Sequence, residues 1–204
     1  MTEEEARERV VSSFGEKVAA NVARFLSRVV EENEQQNLIA SSTVPVIWAR
    51  HGWDSLQLVR LAGEPNGRWI DIGSGAGFPG ILVGLVRQGR TVLVEPRRRR
   101  VEFLRHVIEY LDVGDRVSVV HDRIERVADR GDYLSARAVA GIEPLVEMAH
   151  HCANATTRWI LPRGSIASDE IDQMRRRWNF VFHVEQSDVA STSQIAVLDR
   201  VERR

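Results

Sequence analysis

Cysteine is nearly missing from this chain of 204 residues. Cys152 is the only one, so no disulfide can form within it. Lysine is as rare. Lys17 is the single lysine among 28 lysines and arginines, so the positive charge is almost wholly guanidinium. No apolar run reaches the roughly twenty residues of a membrane helix. The charged residues 1–9 hold no signal-peptide core. These absences argue against a disulfide-stapled scaffold and a membrane span, and they lead to an expected place in the cytoplasm. A surplus of one charge is lacking too, and a net charge of −1 does not announce a nucleic-acid binder. With 43% hydrophobic residues the chain can build a packed core, and its length fits one α/β domain with a helical extension.

What the chain does have is concentrated between Trp69 and Gly80, W-I-D-I-G-S-G-A-G-F-P-G. A short apolar strand ends in Asp71, a turn carries Gly73, Gly75, Gly77 and Gly80, and an apolar helical stretch follows. Strand, glycine turn and helix in that order build the nucleotide crevice of an open α/β sheet. The spacing Gly75-x-Gly77-x-x-Gly80 also fits the dinucleotide fingerprint. Asp71 argues against that reading, because a carboxylate just before the glycines would repel a pyrophosphate but could accept hydrogen bonds from an ammonium group. Glu95 closes the next strand about twenty residues on, where a carboxylate can grip ribose hydroxyls. Both acids suit S-adenosylmethionine, which has no phosphate. A glycine-rich loop without a ligand is the plain alternative.

Apolar residues from Phe14 to Val30 fall on one helical face, and Val44 to Leu61 reads as a second helix, started near Pro45 and interrupted by Gly52. The breaker cluster Gly63 to Gly67 then separates a helical region, 1–62, from a cofactor domain, 63–204. Beyond it seven strand patterns alternate with helices, starting at Arg68, Thr91, Val117, Tyr133, Thr157, Phe180 and Ser193. That order implies a mostly parallel sheet with right-handed crossovers, and the last two strands sit close enough to pair as an antiparallel hairpin at its edge. Two arginine runs, Arg97 to Arg100 and Arg175 to Arg177, read individually as solvated helix faces. The first starts just after Glu95, on the rim where phosphate contact is the sharper reading.

The residues around the motif resemble the RsmG (GidB) family. The likeness is carried by Asn37-Leu38, Arg50-His51-x-x-Asp54-Ser55, Asp71-x-Gly73-x-Gly75-x-Gly77-Phe78-Pro79-Gly80, Arg99-Arg100-Val101-x-Phe103-Leu104, Arg137-Ala138-Val139-Ala140 and Leu161-x-Arg163-Gly164. It implies a Rossmann-like class I methyltransferase with a seven-stranded, mostly parallel sheet, an antiparallel edge strand and an N-terminal helical extension. It implies S-adenosylmethionine as cofactor, and N7 of a guanine in the 530 loop of 16S ribosomal RNA as target, within the small ribosomal subunit or an assembly intermediate. In family terms Gly73, Phe78, Ile124, Glu125 and Arg137 contact the cofactor. Two positions depart from the family. Arg163 stands where a lysine is usual, with a bulkier, planar donor fork. Ser193-Gln194 stands where a basic residue is frequent.

Guanine N7 already holds an in-plane lone pair, so its methylation requires no general base. The catalytic work is alignment. Arg137, after the fourth strand, and Arg163, at the end of the fifth, are the candidates to hold the base or the cofactor carboxylate; the plain alternative for Arg137 is an ion pair with Glu143. His51, Asp54 and Ser55 share one face of an α-helix, but no nucleophile elbow accompanies them, which sets a hydrolase triad aside. His121-Asp122 and His150-His151-Cys152 lack the second spaced pair of a metal site. A small-molecule methyltransferase and a non-catalytic RNA-binding module remain the alternatives.

Overall fold

The computed structural model describes all 204 residues. Thr2 caps the first helix: its hydroxyl accepts from the Glu5 N–H while the Glu5 carboxylate accepts from the Thr2 N–H. Helix α1 (Glu3–Phe14) ends at Gly15, whose φ of +84° breaks the chain before α2 (Glu16–Gln36). Phe14 therefore closes α1 instead of opening the longer helix. Asn37 ends α2 in the left-handed conformation.

The expected second helix is not one α-helix. Ser41–Val46 forms 3-10 turns around Pro45, Trp48–Trp53 winds as a wider π-type turn through Gly52, Asp54–Leu56 is a single α turn (α3), and Gln57–Leu61 tightens again. Tertiary bonds hold this changing pitch. The Glu3 carboxylate accepts from the Trp48 and Ala49 N–H groups at 2.9 Å each. On the other flank Asp188 accepts from Arg9, Trp53 Nε1 and Arg60.

The sheet follows as β1 (Trp69–Ile72), β2 (Thr91–Val94), β3 (Val117–Val120), β4 (Tyr133–Ala136), β5 (Arg158–Arg163), β6 (Trp178–Gln186) and β7 (Gln194–Arg203). Its order is β3-β2-β1-β4-β5-β7-β6. The first five strands are parallel. β1, β2 and β4 are buried throughout, as strands covered on both faces must be, whereas β3, at the edge, is half open to solvent. β7 runs antiparallel to β5 and pairs with β6, the outermost strand, as the expected hairpin. Between the strands lie α4 (Gly80–Val86), α5 (Arg98–Tyr110), α6 (Ile142–Ala149) and α7 (Ser168–Met174). One core cluster joins Phe25, Val29 and Trp53 to Phe78, Leu82 and Leu104, so the N-terminal helices cover the α4–α5 face. A second, with Trp159, Met174 and Trp178, fills the opposite face.

Helix α4 reaches the sheet because it begins with a glycine. A Cβ on Gly80 would lie 2.1 Å from Leu93 Cδ2 and 2.8 Å from Asp71 Oδ2. Gly80→Ala should thus cost about 1–3 kcal/mol, the usual penalty for overpacking. The expected readout is a lower urea midpoint with an unchanged slope. A wild-type midpoint would show that α4 moves off the sheet freely.

Candidate active site

The chain leaves β1 for β2 and β3 on one side and returns to β4 on the other, so a crevice opens at the carboxyl ends of β1 and β4. The glycine turn fills its floor. Gly73 and Gly75 have φ of +65° and +55°, a region that side chains rarely adopt. Two acids pin the turn. Glu95 accepts from the Gly75 N–H at 2.8 Å and the Arg97 N–H at 2.9 Å. Asp71 lies beneath, completely buried, accepting from Ser135 Oγ at 2.7 Å and from the Gly80 N–H at 3.2 Å. Ser135 is the β4 register partner of Asp71 and itself accepts from Trp69 Nε1 at 2.8 Å.

Above the turn lies a cavity of about 360 Å³, lined among others by Gly73, Ser74, Gly75, Phe78, Glu95 and Arg137. Five of the expected cofactor residues therefore face one space. Four do not line it. The Asp71 carboxylate is taken up below the turn. Gly77 faces the packed side, where a Cβ would meet Ile81 at 2.7 Å. Ile124 is buried in the core beyond β3, and Glu125 is exposed. Arg97, Arg100, Ala138 and Val139 line the cavity without having been named as cofactor residues. Their signal was position: each follows a parallel strand end.

A second cavity, of about 380 Å³, shares Leu38, Arg137 and Ala138 with the first. Its other walls include Thr43, Arg50, His51, Asp54, Arg163 and Ser193. Arg137 stands at the junction. Its Cζ lies 5.0 Å from the centroid of the Phe78 ring, which also stacks on His51 at 4.9 Å. Its Nη2 donates to His51 Nδ1 at 2.8 Å, and its Nη1 faces Asp54 Oδ2 at 3.9 Å. A guanidinium can only donate, so Nδ1 is the bare nitrogen and the imidazole proton sits on Nε2. That proton points to Thr43 Oγ1 at 2.9 Å, which donates onward to the Ala40 carbonyl. Burial, with the charges of Arg137 and Arg50, pushes His51 down to about 3, so the ring is neutral at ordinary pH.

Arg137 thus pairs toward Asp54; Glu143 is held by Arg177. Arg163 gives Nη1 to the Ala140 carbonyl at 2.7 Å, while its buried Nε and Nη2 have no partner. Arg50 donates to Ser193 Oγ at 3.2 Å, so a cation reaches the position where the family often carries one. The change of helical pitch at Asp54 splits the expected common face of His51, Asp54 and Ser55: His51 and Asp54 line the cavity, whereas Ser55 Oγ is buried without a partner. His150 and His151 face backbone carbonyls of Val201, Ile124 and Val127. The network of Gln57, Ser187 and Asp188 behind Asp54 carried no sequence signal, since its members are some 130 residues apart.

A family model described as rRNA small subunit methyltransferase G, GidB, matches residues 19–198. The chain belongs to the GidB family. It is 44% identical over 180 residues to the ribosomal RNA small subunit methyltransferase G of Sphingopyxis alaskensis, covering 87% of this chain and 77% of that one. It is 39% identical over 207 residues to the protein of the same name from Rhizorhabdus wittichii, covering 100% and 95%. Among solved structures, a methyltransferase from Geobacter sulfurreducens superposes with a TM-score of 0.63 at 18% identity, covering 86% of this chain and 88% of the other. A mutant of MtNAS in complex with S-adenosylmethionine superposes with a TM-score of 0.58 at 21% identity, covering 88% and 74%. The structures establish the Rossmann-like methyltransferase fold, and the family makes this member a methyltransferase.

Burial pushes the Asp71 carboxyl up to about 6, against the hydrogen bonds from Ser135 and Gly80. An unfolded aspartate titrates near 3.9. The folded chain holds the proton more tightly, so ionising Asp71 costs stability, and the cost grows as pH rises from about 4 to about 6. The stability of wild type minus that of Asp71→Asn should therefore fall across this window by roughly 2–3 kcal/mol. Urea unfolding at several pH values reads it; a pH-independent difference would remove Asp71 from the titrating groups.

Proposed function

We propose that this chain transfers a methyl group from S-adenosylmethionine to N7 of a guanine in 16S ribosomal RNA, in the small ribosomal subunit or an assembly intermediate. The observation that carries the reading is the pair of joined cavities with Arg137 at their junction. The first suits the cofactor. Each Glu95 oxygen accepts one backbone N–H and keeps a lone pair for a ribose hydroxyl. The glycine turn lets the backbone approach closely, and Arg137 can meet a carboxylate. When bound there, S-adenosylmethionine supplies a methyl carbon on a positively charged sulfur.

The second cavity suits the base. Guanine N7 gives its own lone pair, so no side chain has to remove a proton. The chain's part is positioning, an effect that supplies ~7–11 kcal/mol in well-oriented reactions. Arg137 is fixed by Phe78, His51 and Asp54, and Arg163 adds a second guanidinium to the wall. Residues 1–62 provide part of this wall through Leu38, Thr43, His51 and Asp54. We assign them to substrate handling and 63–204 to the cofactor.

Arginines at the start of α5 oppose the helix dipole, which favours anions there. Arg97, Arg98 and Arg99 are exposed beside the first cavity, where phosphates would offset that cost. Tritiated-methyl transfer to 16S rRNA from cells lacking the enzyme, but not to mature rRNA, is the expected result. Equal or absent labelling of both would sink the proposal.

Glu95→Ala should weaken S-adenosylmethionine binding by ~1–3 kcal/mol, since it removes a charged acceptor and frees the Gly75 turn. Calorimetry on a folded variant with unchanged affinity would remove Glu95 from the site. Replacing Arg98 and Arg99 by glutamine should flatten the log–log salt dependence of RNA binding by roughly 0.7 per lost phosphate contact, with cofactor affinity unchanged. An unaltered slope would make them solvated surface.

A further inference from the structure

We propose that Asp54 reads the Watson–Crick edge of the target base and makes the second cavity selective for guanine over adenine. The inference rests on the methyltransferase reading above and adds the residue that chooses the base. Asp54 is 8% exposed and lines the second cavity but not the first. Its two oxygens differ. Oδ1 is filled by Gln57 Nε2 at 2.9 Å and Ser187 Oγ at 3.0 Å. Oδ2 accepts no hydrogen bond, and the nearest cation is Arg137 Nη1 at 3.9 Å.

The order of groups is what points to guanine. From the cofactor cavity outward come Arg137, which lines both spaces, and then Asp54. Around a guanine come N7, then the O6 acceptor, then the N1–H and N2–H donors. Turning N7 toward the first cavity sets O6 against the guanidinium and the N1–H and N2–H donors against Oδ2. Adenine inverts both matches. Its N6 amino group would face the guanidinium and its N1 lone pair would face the carboxylate.

The alternative role for Asp54 is to brace the turn before β7 through Ser187. Asp54→Asn keeps an acceptor for Gln57 and Ser187 but turns an N–H toward the cavity, whereas Ser187→Ala removes the brace and leaves Oδ2 intact. The test is NMR titration of the full chain with GMP and with AMP, in the presence of S-adenosylhomocysteine. Wild type should prefer GMP ~10-fold or more, the usual worth of a matched base contact. Asp54→Asn should bring the ratio to near one or below it, and Ser187→Ala should keep the wild-type ratio. No preference in wild type, a preference retained in Asp54→Asn, or an equal collapse in Ser187→Ala would each overturn the assignment. Methyl transfer to 16S rRNA, measured on the same preparations, separates the two readings. Wild type that methylates without preferring GMP refutes the role of Asp54 alone. Wild type that prefers GMP without methylating refutes the reaction and leaves the guanine site standing.

Discussion

A carboxylate buried between two parallel strands costs several kcal/mol unless its oxygens find donors. In this fold the donors are structural. Ser135, directly across on β4, fills one oxygen of Asp71, and the first N–H of α4 fills the other. Trp69 completes the chain by donating to Ser135. Strand, switch point and helix start are therefore tied at one atom group. The glycine turn hangs from that knot, and Glu95 ties its far side to β2. Removing the knot would loosen the floor of the first cavity before any ligand contact changed.

The second cavity is built differently. Its polar side chains come from separate parts of the chain and are oriented by one another and by groups behind the wall, such as Gln57 and Ser187. Glu3 and Asp188 clamp the segment that carries His51 and Asp54. The Arg137 guanidinium sets the tautomer of His51, Thr43 accepts from its Nε2–H, and the ring in turn directs Arg137. The guanidinium is held by a neutral ring, an aromatic face and a distant carboxylate, so its charge is only partly matched. Preorganisation of this kind suits the alignment-driven methyl transfer proposed above, because the donors would not have to rearrange for a base.

The same economy explains the arginine bias. Arg87 stacks on Trp69 and Tyr133 and bonds the carbonyls of Glu64 and Gly67, which is structural work a planar fork does well. Arg158 pairs with Asp199 through both Nε and Nη2. Other arginines gather around the cavities. A net charge near zero thus coexists with a basic ligand edge, because the acids lie elsewhere, many of them on α1 and α2.

The sequence by itself determined the alternation of strands and helices, the hairpin at the sheet edge, the glycine turn and the positions of Glu95 and Arg137. All of these are set by local periodicity or by the fixed relation between a strand end and its loop. The family motifs brought Arg50, His51, Asp54 and Arg163 into view without a geometry. Tertiary structure decided the rest. It turned an expected α-helix at Val44 to Leu61 into a run of changing pitch, because clamps from Glu3 and Asp188 outweigh local propensity. It placed Asp71 under the turn instead of facing the ligand, because β4 supplies a serine at the matching register. It left Ile124 and Glu125 off the cavity, since the turn after β3 packs Ile124 into the second core with α6 and leaves Glu125 in solvent. And it joined Asp54 to Ser187 across 133 positions of chain, a contact that only the packing of the β6–β7 turn against the N-terminal helices can create.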